Sequence, residues 1–212
     1  MLRSTQMNIT PVATGLSLPL PIYHTVHIAD AINQLGEEFA IYAGLDEKMV
    51  ADVREHSLND SDEALKITSD RKRFGEGKYE DWYNKGRVPF ALIHKQSGKL
   101  AAVAWYGPKP LGRKPIKELS QAELSQNERE LDNDNWATFT YRSYPPFRGK
   151  GLMKDFVRFT MDTYETQFPD VKLWGGLYAN NTPSLALAHD LGFSVNEAAS
   201  DRSKNWLVVT KN

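Results

Sequence analysis

The chain has 212 residues, with 41% hydrophobic, 25% charged and 11% aromatic side chains. That is enough for one domain burying roughly 70% of the surface that an unfolded chain exposes. Its 26 Lys and Arg against 27 Asp and Glu leave a net charge of −1, so composition supplies no global pull toward nucleic acid or anionic lipid. The absence of cysteine excludes disulfides and thiol chemistry and agrees with a cytoplasmic setting. No window reaches the ~20 apolar residues that span a bilayer.

Residues 1–21 carry Pro11, Gly15, Pro19 and Pro21 without a period, predicting an extended N-terminal arm ahead of a single domain over 22–212. Ile28, Ile32, Leu35, Phe39 and Tyr42 then recur every three or four positions. With Asp30 near the start and Gly44 past the end, they predict an amphipathic helix. A second helix is expected over about 46–56, with Met49, Val50 and Val53 inward. Residues 57–86 are charged: Asp70-Arg71-Lys72-Arg73 reads as solvated surface, whereas Phe74, Tyr79, Trp82 and Tyr83 require cover.

Residues 88–94 and 100–106, separated by Gln96-Ser97-Gly98, read as a β-hairpin. A polar insertion covers about 107–135, where Ser120 and Glu123 have capping-box spacing for a short helix. Residues 136–142 alternate as a strand, and a helix with Met153, Phe156, Val157 and Met161 on one face follows until Pro169. A strand over 171–178, a helix over 183–191 and an antiparallel pair over 193–195 and 206–210 complete the chain. This order predicts an α/β fold with a mixed sheet.

The richest chemistry lies between the 136–142 strand and the next helix. A Gly-rich turn opening a helix presents backbone N–H groups that have no intrahelical partner, and the helix dipole reinforces them toward an anion. Gly149 and Gly151 permit a sharp turn, while Arg148 and Lys150 add charge. The turn is neither a P-loop nor a dinucleotide fingerprint, because the required glycines are missing.

Arg148-Gly149-Lys150-Gly151 after a strand resembles the Arg/Gln-x-x-Gly-x-Gly/Ala signature of the GNAT superfamily of N-acetyltransferases. Farther on, Asn181, Ser184, Leu187, Gly192 and Phe193 fall in register with the family's Asn-x-x-Ala-x-x-Leu-Tyr-x-x-x-Gly-Phe pattern. The likeness spans about residues 86–210; residues 22–60 match only as two helices before the hairpin. It implies a mostly antiparallel central sheet flanked by helices, with splayed central strands. It also implies acetyl-CoA as co-substrate, no metal, and direct attack of a primary amine on the thioester.

By the same resemblance, Tyr141, Arg142 and Ser143 would meet the pantetheine arm through backbone groups. Arg148, Gly149, Lys150, Gly151, Leu152 and Met153 would hold the pyrophosphate. Asn181 would reach the pantetheine or thioester end, although an Asn there also suits capping of the following helix. Two departures stand out: Met153 replaces a small residue, and Ala188 replaces the tyrosine that protonates departing CoA.

His189 is adjacent to Ala188 but points about 100° away on a helix. His189 and Tyr144 are the candidate catalytic groups; no carboxylate lies within 136–143, and Asp132 and Asp134 sit at the insertion's edge. The expected partner is a small-molecule or peptide amine, with Glu80-Asp81-Trp82-Tyr83 as a candidate site for a cationic amine. No nucleic-acid or membrane partner is expected, and a homodimer is an option because dimers are frequent in the family. The alternative reading is a non-catalytic acyl-CoA-binding module of the same fold.

Overall fold

The computed structural model describes residues 7–13, 15–114, 118–124 and 134–211, and nine strands among them form one sheet. In chain order these are β1 (Asn8–Pro11), β2 (Val26–Ile32), β3 (Glu38–Ala43), β4 (Val88–His94), β5 (Lys99–Pro108), β6 (Trp136–Ser143), β7 (Lys172–Tyr178), β8 (Phe193–Val195) and β9 (Trp206–Lys211). Their order across the sheet is β1-β2-β3-β4-β5-β6-β7-β9-β8, antiparallel throughout except for the parallel pair β6 and β7. The helices are α1 (Glu47–Leu58), α2 (Glu63–Lys66), α3 (Tyr79–Tyr83), α4 (Gln121–Leu124), α5 (Met153–Gln167) and α6 (Thr182–Asp190), with a wide turn over Arg71–Gly75.

Alternation along the central strands supplies two cores. Phe90, Leu92, Ala104, Tyr106, Ala137 and Phe139 pack beneath α5 and α6 with Phe156, Val157 and Met161. On the opposite face Ala91, Val103 and Trp105 meet Met49, Val53, Phe74 and Trp82 from the α1–α3 segment. Asp46 caps α1 by accepting the Met49 N–H at 2.8 Å, and Ser120 and Glu123 form the expected capping box. The insertion residues 115–117 and 125–133, including Asp132, lie outside the described residues.

One expectation is corrected. The helix expected from Ile28 to Tyr42 is the β2–β3 hairpin. Its turn is set by the Asn33 side chain, whose oxygen accepts the N–H groups of Leu35 and Glu37 at 2.9 and 3.0 Å, and by Gly36 at φ +76°. Ile32 and Leu35, both needed on a helix's inner face, are 47% and 74% exposed. The N-terminal arm also contributes to the sheet: β1 pairs with β2, and the N–H of buried Met7 donates to Asp155 at 2.7 Å.

The feature that makes a site is the parting of β6 and β7. They pair only at Trp136–Lys172, Ala137–Leu173 and Thr138–Trp174. Beyond that point β7 stays with β9, whereas β6 stays with β5 as far as Ser143. The sheet therefore opens into a V that connects its two faces.

Candidate functional site

The cleft is bounded by residues 138–142 of β6 and 174–178 of β7, with Asn181, Ser184 and Ala188 of the α6 segment and Trp206 of β9 completing the wall. Two adjacent glycines keep the β7 side thin. A Cβ on Gly176 would lie 2.1 Å from Trp206 Cζ2, and one on Gly175 would lie 2.7 Å from Phe139 Cε1. The Trp206 ring lines the cleft wall, and its buried indole N–H has no hydrogen-bond partner among the described residues.

Tyr141 projects toward α6, where its hydroxyl approaches the Ser184 carbonyl at 3.5 Å. Burial raises its pKa, so the phenol keeps its proton. Asn181 accepts the Ser184 N–H at 3.3 Å and so caps α6, while also lining the cleft. Ala188 lines the same wall one turn after Ser184, but His189 is on the exposed side of α6 and not on the cleft. Tyr144 is also away from it: buried at 1% exposure, it stacks on His56 at 4.1 Å. The sequence candidates His189 and Tyr144 are thus not brought to the cleft.

The turn after β6 has the geometry its glycines suggested. Gly149 and Gly151 have φ of +81° and +74°, and a Cβ on Gly149 would meet nothing within 4 Å. Leu152 starts α5 without a side-chain cap, so the first amides of the helix remain open. The N–H groups of Gly149, Gly151 and Leu152 have no backbone acceptor among the described residues. Met153 begins the helix with its side chain packed against the core, leaving its backbone amide among those at the helix start.

The charges of this turn are arranged differently from the sequence expectation. Arg148 forms a two-pronged pair with buried Asp62, at 2.9 and 2.8 Å, and also donates to the Ser143 carbonyl. Lys150 pairs with Glu37 at 2.7 Å. Arg148 and Lys150 hold the carboxyls of Asp62 and Glu37 below the usual carboxylate range. The turn's anion-binding capacity therefore rests on amides and helix dipole more than on these two side chains.

Arg142 extends from the other face of β6 and donates to Asp70 at 2.5 and 2.9 Å and to its neighbour's carbonyl, Tyr141 O, at 2.7 Å. Asp70 is 2% exposed and also binds Arg73 at 2.7 Å. The 70–73 run is consequently not a uniformly solvated surface: Asp70 and Arg73 turn inward, and Arg73 lines the cleft. Burial, with Arg142 nearby, pushes Arg73 down to about 10. Sequence reading missed Arg73, Lys109 and Trp206 as cleft residues; only the aromatic spacing of Phe74 and Trp82 signalled that the segment packs inward.

The cleft lining contains no Asp, Glu or His among the described residues. No group of three or more His, Asp or Glu among those residues could hold a metal ion, and no described helix is long and apolar enough to cross a membrane.

No protein-family model and no curated protein matches the sequence. Solved structures do match. The GNAT domain of S. lividans PAT superposes with a TM-score of 0.58 at 11% identity, covering 85% of this chain and 94% of that one. An acetyltransferase from Agrobacterium tumefaciens gives 0.56 at 11% identity, covering 95% and 99%. Spermidine N-acetyltransferase from Vibrio cholerae, solved with CoA and spermine, gives 0.52 at 16% identity, covering 74% and 82%. The sheet order, the parted central strands and these superpositions agree: the chain has the GNAT fold.

Proposed function

We propose that the chain is an acetyl-CoA-dependent N-acetyltransferase acting on a primary amine. The observation that carries this reading is the V between β6 and β7, with an uncapped, Gly-rich helix start directly after β6 on the α5 face. The residues fit acetyl-CoA: the amides of Gly149, Gly151, Leu152 and the first turn of α5 suit a pyrophosphate, and the unpaired edge of β6 suits the amides of a pantetheine arm. Met153 contributes its amide to the pyrophosphate. Arg142 and Ser143 contribute backbone, with Arg148 and Lys150 steadying the turn through Asp62 and Glu37.

Bound there, acetyl-CoA supplies an activated acetyl carbonyl. The amine enters from the α1–α3 face, its nitrogen bonding to that carbonyl carbon as the carbon–sulfur bond breaks. The amine loses one proton and the sulfur gains one. Tyr141 holds a proton at Oη on the wall shared with Ala188, and is the phenol we assign to the departing sulfur in place of the absent α6 tyrosine. Among the described residues the lining offers no carboxylate or imidazole for the amine proton, so the amine reacts from its neutral form and much of the rate comes from alignment.

That same lack of a carboxylate or imidazole favours one competing reading, a non-catalytic acyl-CoA-binding module. Thiol release from acetyl-CoA in the presence of a panel of primary amines separates the two. Amine-dependent release with a matching acetylated product is expected. Acetyl-CoA binding without release for any amine would support the module.

A further inference from the structure

On the α1–α3 face the cleft continues into a second pocket, joined to it through Arg73, Lys109, Thr138 and Thr140. Trp82 and Trp105 line this pocket. Seven of its 14 described lining residues are Lys or Arg and one, Asp81, is acidic, in a chain whose net charge is −1. The concentration of positive charge is therefore local.

Most of that charge is not used in holding the fold together. Lys72, Lys78, Lys109 and Lys114 form no ion pair among the described residues, and Arg73 shares its one carboxylate, Asp70, with Arg142. Lys109 is the most telling. It lies on the boundary of the two pockets, its ammonium over the Trp174 ring at 5.3 Å and 3.5 Å from the Lys114 carbonyl. Burial, with Arg87, Arg73, Arg113 and Lys85 around it, pushes its pKa well down. Like charges gathered in a recess cost folding energy, a cost that a bound ligand of opposite sign offsets. The sequence expectation of a cationic amine held by Glu80 and Asp81 fails on placement: Glu80 is exposed and bonded to the Tyr23 hydroxyl at 2.6 Å, and Asp81 is outnumbered.

We propose that this pocket is the acceptor site and that it selects an anionic amine, a small molecule carrying a carboxylate or phosphate a few bonds from its primary amine. Lys109, Lys72 and Arg73 seat the anion, and the amine projects past Thr138 and Thr140 toward the opening between β6 and β7. This rests on the acetyl-transfer reading for its chemistry, but not for its binding.

The test uses matched amines: 4-aminobutanoate against 1,4-diaminobutane, and O-phosphoethanolamine against ethanolamine. Thiol release gives kcat/KM and calorimetry gives binding. The anionic member of at least one pair should exceed its partner at least about tenfold in kcat/KM, the size of one charge-assisted contact; the winning pair tells carboxylate from phosphate. Lys109→Gln should raise the KM of that amine about tenfold and leave the acetyl-CoA KM unchanged, while Lys48→Gln, on the exposed face of α1, changes neither.

Equal or better use of the diamine and ethanolamine would overturn the proposal while leaving acetyl transfer intact. So would a Lys109→Gln effect confined to acetyl-CoA, or salt-sensitive binding of an oligonucleotide in place of the small anions. Lysine-dependent binding of an anionic amine without turnover would support the pocket and count against the transferase reading.

Discussion

At the scale of single residues, the site depends on where a phenol is placed, and stability depends in part on a half-buried imidazole. Tyr141 reaches the wall that Ala188 leaves bare, and burial keeps its proton in place. Tyr141→Phe should lower kcat about 100-fold, within the range for a general acid, with the acetyl-CoA KM essentially unchanged. An unchanged kcat would remove Tyr141 from the chemistry. His56 has a structural part. It stacks on Tyr144, and burial lowers its pKa below 6.5, with Arg148 adding to the effect and Glu55, Asp52 and Asp62 opposing it.

The folded state therefore binds fewer protons at His56 than the unfolded chain does. Its stabilisation is complete above the unfolded value and is lost as pH falls through that value toward the lower folded one. The urea midpoint of the wild type should fall more between pH 7.5 and 5.5 than that of His56→Phe, which keeps the ring stack; equal falls would contradict the assignment. None of this was legible in sequence. Tyr141 was readable as a pantetheine neighbour, but its reach to Ser184 depends on α6 lying across the cleft, 43 positions later.

At the scale of elements, local chemistry was readable wherever one residue type dictates one conformation. The capping box at Ser120 and Glu123, the Asn181 cap with Pro183 and the paired glycines at 149 and 151 are cases of this kind. The β2–β3 hairpin was misread because two short strands joined by the turn from Asn33 to Gly36 place apolar residues at spacings that mimic a helical face. The exposed Leu35 belongs to that turn.

The β7 wall makes its own prediction. A methyl group at position 176 would overlap the Trp206 ring, so Gly176→Ala should cost ~1–3 kcal/mol in urea unfolding through overpacking. Unaltered stability would contradict the close approach of β7 to Trp206. Gly175 and Gly176 carry no sequence signal for this, because their constraint comes from side chains on β6 and β9.

At the scale of the whole molecule, the fold class and the strand-to-helix turn were visible in order and spacing, and the distribution of charge was not. A net charge of −1 conceals a pocket whose described lining holds seven Lys or Arg and one acid, and a Gly-rich turn whose two cations are already paired. Arg148 meets Asp62 and Arg142 meets Asp70 across 86 and 72 positions of sequence, separations at which no motif operates. Both pairs tie the α1–α3 segment to β6 and the turn that follows it, and the Arg148–Asp62 pair also removes charge from that turn.

The opening between β6 and β7, with the amides at the start of α5, is the proposed seat of acetyl-CoA. Calorimetric titration of the wild type and of Gly151→Glu with acetyl-CoA, using adenosine diphosphate as the control, tests it most directly. Gly151 has φ +74°, so a glutamate there brings strain, bulk and negative charge to the phosphate position. Saturable acetyl-CoA binding by the wild type is expected, with weaker binding of the diphosphate and loss of acetyl-CoA binding in a Gly151→Glu protein that still unfolds cooperatively. Absence of wild-type binding at millimolar acetyl-CoA, or undiminished affinity in the variant, would contradict it.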